Sequence, residues 1–138
     1  MPKSRVSAKR RQERYEQGLC WDCSQPVEPG KTRCRGCLDR CAQAAKAADE
    51  RLKQAVMAAY GGACACCGED TLIMLTIDHV AQDGAEARRK GQRTGPGFYR
   101  LLRKQGFPEG YRVLCWNCNT AVFYSPDHRC PHGTGCFS

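Results

Sequence analysis

GGACACCGEDTLIMLTIDHV, residues 61–80, and GYRVLCWNCN, residues 110–119, decide how this chain folds. Each carries a C-x2-C pair, Cys64 with Cys67 and Cys115 with Cys118, and 47 residues separate Cys67 from Cys115. Four thiolates complete one tetrahedral zinc, which draws the ends of the segment together and sets Asp78-His79 beside the second pair and the following Asn119. Cys66 reads as a bystander, because Cys66 and Cys67 are adjacent and do not easily bind one ion together. Thr71–Val80 is short, β-branched and bounded by turns, so it reads as a strand or the second half of a hairpin. Tyr111–Leu114 is expected to be a second strand leading into Cys115, and Asn117–Tyr124 a helix that Pro126 ends.

Working outward, the stretch from Gly84 to Gly97 also holds Gly91, Gly95 and Pro96 and reads mostly as loop. Phe98–Gln105 has the pattern of a short amphipathic helix stopped by Gly106. Upstream, Ala45, Ala48, Leu52, Val56 and Ala59 repeat at helical spacing, so 42–60 reads as a connecting helix stopped by Gly61-Gly62. Before it stands a second cysteine quartet, Cys20-x2-Cys23-x10-Cys34-x2-Cys37, whose Pro26, Pro29 and Gly30 suit the connecting loop of a zinc-ribbon-like module over 18–41. Cys41, one helical turn beyond Cys37, could replace a member of that quartet, a spare buried thiol being the plainer reading. Residues 1–17 form a basic arm with a short helix over Ser7–Gln17, and 61–138 form the last module. Cys130, His132 and Cys136, with His128 nearby, make a weaker cluster in the tail that has the ligands for a third zinc site, although Cys130-x-His132 is unusual spacing for one and an ordinary or disordered tail is the plainer reading.

Twelve cysteines and 14 glycines in 138 residues leave little apolar material for a conventional core, so the fold needs staples. No apolar signal-peptide core follows Met1-Pro2-Lys3-Ser4-Arg5, and the cysteines recur as pairs, which favours zinc in a reducing cytoplasm over disulfides. No apolar stretch approaches the length of a membrane span, so no membrane partner is expected. The formal charge is +8; two zinc centres of four thiolates, at −2 each, bring it to about +4. Distribution says more than the sum. Arg88, Arg89, Lys90, Arg93, Arg100, Arg103 and Lys104 fall in one acid-free stretch, and Lys3, Arg5, Lys9, Arg10, Arg11 and Arg14 crowd the arm. Both are candidate polyphosphate contacts, and equally candidate solvated faces.

An acid followed by a histidine at the end of an apolar strand, inside a four-cysteine frame and before an arginine-rich segment, resembles the HNH endonucleases. More closely, residues 58–132 look like the small phage and bacterial HNH proteins in which a four-cysteine zinc supports the nuclease motif. The resemblance implies a small α+β, zinc-stabilised fold. Its ββα-metal (HNH, His-Me finger) module would follow the zinc-ribbon-like module and the linking helix. It implies DNA as partner and hydrolysis of its phosphodiester bonds. His79 would be the general base, Asp78 and Asn119 would hold a catalytic Mg2+ or Mn2+, and Arg88 would neutralise the phosphate. Zinc would occupy the two sulfur quartets. A bacterial cytoplasm is the implied setting, and phage packaging, homing and defence are all compatible with it.

Two departures from the pattern shape the expectations. The family's middle asparagine falls near Gly110-Tyr111, where no asparagine stands, so another group must orient His79. Neighbouring residues of a regular strand point to opposite faces, so Asp78 and His79 share a site only at a bulge or a strand end. Asn117 is an alternative ligand to Asn119, its plainer role being a turn or cap. A non-catalytic zinc protein that binds nucleic acid, through the arm, the first module with Trp21, Arg33 and Arg35, and the 88–104 stretch, is the competing reading. A protein-interaction adaptor is a third.

Overall fold

Helix α1, Ala8–Glu16, starts where Ser7 accepts a hydrogen bond from the Arg10 amide at 3.3 Å, and ends before Gly18. The computed structural model from which these elements are taken describes residues 6–132. The chain divides into two compact units between Ala48 and Asp49.

The first unit has almost no apolar interior. Its buried residues, among those described, are Cys20 and Cys37. After α1 the chain turns through a knuckle in which the Ser24 amide bonds to the Cys20 carbonyl and the Cys20 amide to that of Gln25. Leu19 and Pro26 form a lone antiparallel bridge that closes it. Cys34-x2-Cys37 then runs straight into helix α2, Arg35–Ala59, which therefore begins seven residues earlier than the 42–60 expected from periodicity. Cys41, on the first turns of α2, is exposed rather than buried. Arg33 pairs with Asp22 at 2.7 Å and Arg35 with Asp39 at 3.2 Å, and in the 88–104 stretch Lys90 pairs with Glu86 and Arg100 with Asp49, so four of the cations assigned to nucleic acid already have acidic partners.

The second unit is a small α+β body. A 3-10 turn, Leu72–Met74, leads into strand β1, Leu75–His79. Helices α3, Gly84–Arg89, and α4, Pro96–Lys104, follow, then β2, Tyr111–Cys115, and α5, Trp116–Tyr124. The expected loop from Gly84 to Gly97 is thus partly helical, and the expected strand over Thr71–Val80 is shorter. β1 and β2 pair antiparallel in unbroken register, from Leu75 opposite Cys115 to His79 opposite Tyr111. Leu52, Val56 and Met57 of α2, Leu75 and Ile77 of β1, Phe98 and Leu102 of α4, Val113 and Leu114 of β2 and Val122 of α5 form one core. Cys64, Cys115, Cys118 and Cys130 belong to that same cluster, so the sulfurs and the hydrocarbon are packed as one body. Among the described residues no helix is long and apolar enough to cross a membrane.

Candidate metal centres and cleft

The two quartets expected from the sequence are both assembled. Cys20, Cys23, Cys34 and Cys37 bring their sulfurs within 4.8 Å of one another, and so do Cys64, Cys67, Cys115 and Cys118. A Zn–S bond of about 2.3 Å puts the sulfurs of a tetrahedron about 3.8 Å apart. Cys23 and Cys34 stand at 3.4 Å and Cys67 and Cys115 at 3.7 Å, so the donor sets fit zinc in type, number and spacing.

The thiols of each quartet are unequal. Burial pushes the Cys64 thiol up, but hydrogen bonds from the backbone of Cys67, Cys115 and Cys66 outweigh it and hold it down to about 7. Cys20 follows the same pattern, burial being overcome by the backbone of Cys34, Asp22 and Cys23, which hold it down to about 6. Cys37 is pushed up to about 12 by burial and by the neighbouring sulfurs, and burial with the sulfurs of Cys115, Cys130, Cys67 and Cys64 raises Cys118 further still. In each quartet one thiolate is thus ready for a cation, while its most hindered thiol gives up a proton only to one.

Cys66 is no bystander. It is disulfide-bonded, and its sulfur lies within 4.8 Å of the donor atoms of Cys118, Cys130 and His132. Adjacency to Cys67 rules out a shared ion but leaves Cys66 facing a different set of donors. Of the tail cluster, Cys130 and His132 come together here, and Cys136 lies outside the described residues.

Between β1, α3 and α5 a cleft of about 320 Å³ is lined by Asp78, His79, Arg88 and Asn119, the four residues singled out from sequence. Asn117 is exposed and does not line it, which separates the two asparagines. No bulge interrupts β1; His79 reaches the cleft together with Asp78 because it is the strand's last residue. Asp78 is 8 % exposed, and its Oδ2 accepts from Arg112 Nε at 2.8 Å and from Gln82 Nε2 at 3.3 Å. Arg112 stands directly across the sheet from Asp78, so the register itself makes this ion pair.

His79 is oriented without an asparagine. Its Nε2 lies 3.1 Å from Gln92 Oε1, its ring stacks parallel to Phe98 with centroids 5.6 Å apart, and Tyr111 meets it edge-on at 5.0 Å. Gln92 Oε1 is an acceptor, so the tautomer that uses this contact donates from Nε2 and keeps Nδ1 as the acceptor. Nδ1 faces Gly84, where an added Cβ would come within 2.9 Å of Nδ1, and Arg88 Nη1 closes the same space at 3.4 Å. No motif picks out Gly84, Gln92, Phe98, Tyr111 or Arg112. The antiparallel register is the available signal for Tyr111 and Arg112, since pairing Leu75 with Cys115 fixes both; Gly84, Gln92 and Phe98 have none.

Trp116, Phe123 and Tyr124 of α5 line the cleft and are 56 %, 58 % and 78 % exposed, forming an aromatic wall beside the charged groups. Comparison with protein-family models, with curated proteins and with solved structures returns no match, so the chemistry of the site rests on its own residues.

Proposed function

We propose that the chain is a metal-dependent endonuclease of the HNH type that hydrolyses phosphodiester bonds of DNA. The observation that carries this reading is the convergence of Asp78, His79, Arg88 and Asn119 on one cleft between β1, α3 and α5. His79 is the general base: Gln92 holds the proton on Nε2, and Nδ1 takes the proton of a water standing in the space that Gly84 leaves open. Phe98 and Tyr111 keep the ring in plane, so little ordering is left for the moment of reaction. Arg88 balances charge on the phosphate. Asp78 and Asn119 offer hard oxygens suited to Mg2+ or Mn2+, which when bound supplies positive charge to the phosphoryl and leaving oxygens. The exposed wall of Trp116, Phe123 and Tyr124 offers faces on which sugars and bases pack.

One observation favours the competing, non-catalytic reading. Arg112 already neutralises Asp78 through Oδ2, which leaves a single carboxylate oxygen for a cation. Plasmid incubated with Mg2+ or Mn2+ and either the natural chain or His79→Ala decides between them. Metal-dependent cleavage by the natural chain alone is expected, with equal zinc content and thermal midpoint in both proteins. Equal DNA binding without cleavage by either abandons the nuclease for a zinc-stapled binding module.

A further inference from the structure

Beside the second quartet lies a donor set that neither the staple nor the proposed chemistry uses in full. His132 Nδ1 stands 3.2 Å from Cys118 Sγ and 3.4 Å from Cys130 Sγ, and Cys66 Sγ lies within 4.8 Å of all three. Cys118 is fully buried and Cys130 is 4 % exposed, whereas His132 is at the surface, so the set opens to solvent chiefly through the histidine. Zinc bound to sulfur at about 2.3 Å and to imidazole nitrogen at about 2.0 Å sets the two about 3.5 Å apart. The two observed spacings are within a few tenths of an ångström of that. Three sulfurs and one imidazole are a common ligand combination of structural zinc.

Cys118 belongs to both this set and the quartet. A thiolate has lone pairs for two cations, and Cys118 is the sulfur around which Cys64, Cys67, Cys115 and Cys130 are all gathered. We propose that in the reduced protein Cys118 bridges two zinc ions, one completed by Cys64, Cys67 and Cys115 and the other by Cys66, Cys130 and His132. Charge favours the pair. Six thiolates against two Zn2+ leave −2, the same residual charge as one Zn2+ with four thiolates, so a second ion enters without building up further negative charge in the core. The bridge also fixes the segment after α5 to the body of the unit, where, among the described residues of that segment, Cys130 is the one packed into the core.

Cys66 is disulfide-bonded in this structure, so its thiolate has to be released first. A phosphine does this with one water: the S–S bond breaks, two thiols form, and the phosphorus is oxidised to the phosphine oxide. Zinc then displaces the protons of the Cys66 and Cys130 thiols.

The test uses the full chain, prepared with a phosphine reductant, and does not depend on DNA or cleavage. Metal analysis is expected to give three zinc ions per chain, one in the first quartet and two in the bridged pair, and His132→Ala is expected to hold two. After replacement by 113Cd, two of the three cadmium resonances are expected to split each other through the shared sulfur, and the splitting is lost in His132→Ala. Two zinc ions in the natural chain, three with no mutual splitting, or a third ion retained by His132→Ala would each overturn the bridge. The splitting in the natural chain decides the matter by itself should the variant not fold.

Discussion

The two cysteine quartets start from the same local device and end in different environments. In each, a knuckle ties the first cysteine's carbonyl to the amide four residues on, Ser24 to Cys20 and Gly68 to Cys64, and the first cysteine's amide to the carbonyl five residues on, Gln25 and Glu69. The first quartet then closes over 10 intervening residues and meets no apolar core; the second closes over 47 and is packed into one. Closing the longer loop costs about 1.4 kcal/mol more chain entropy. That cost is offset because the long loop contains β1, α4 and β2, whose core residues bury against α2 and α5. A metal bound at the first quartet would close a short loop into a module, whereas one bound at the second would close a long loop into a hydrophobic core that also carries the cleft.

Metal removal is expected to separate the two most sharply. Structural zinc contributes on the order of 10 kcal/mol or more to a fold that has little else. With excess chelator, amides over 18–34 should lose hydrogen-exchange protection outright, whereas Ile77, Val113 and Leu114 should keep measurable protection from the core they share. Equal and simultaneous loss in both units would show that the hydrocarbon of the second contributes nothing without its metal.

Gly84→Ala probes the cleft of the second unit. Its Cβ would meet His79 Nδ1 at 2.9 Å, and the ring, held by Gln92, Phe98 and Tyr111, has to move. A displacement near an ångström costs about 100-fold in rate, so cleavage should fall by that order while zinc content stays the same. Gln92→Ala removes one hydrogen bond from the same ring. At about 1 kcal/mol, that is roughly a fivefold to tenfold loss of cleavage at saturating DNA, with the thermal midpoint unchanged. Either variant matching the natural rate would disconnect His79 from the chemistry.

How far the sequence reveals this follows from what each feature depends on. The quartets, β1, β2 and α5 are legible because C-x2-C spacing, β-branching and a terminating Pro126 are local signals. α3 is not: GAEARR has no apolar stripe, and its buried residue, Gly84, is of a type that normally argues against a helix. The asparagine expected near Gly110-Tyr111 is replaced by contacts from Gln92, Phe98 and Tyr111, three separate stretches that only the tertiary fold brings to one ring. Spacing rules misplace Cys66 because they ask which cysteines share one ion, whereas adjacent residues can serve two different sets.

The smallest expected effect tests the knuckles themselves. Both need a left-handed residue just after the second cysteine; Gly68 supplies it at φ 77°, whereas Ser24 is held at φ 62°. For a residue with a Cβ that conformation costs about 1 kcal/mol, and glycine avoids it at the expense of a more flexible unfolded chain. Contacts do not complicate the exchange at the glycine, since a Cβ on Gly68 would meet nothing within 4 Å. Ser24→Gly should therefore stabilise the zinc-loaded first module by about 0.3 to 1 kcal/mol, and Gly68→Ala should destabilise the second by about 1 kcal/mol, both read as denaturation midpoints at fixed free zinc. The two knuckles obey one backbone rule only if these shifts have opposite signs; two shifts of the same sign would mean that the shared hydrogen-bond pattern conceals different strains.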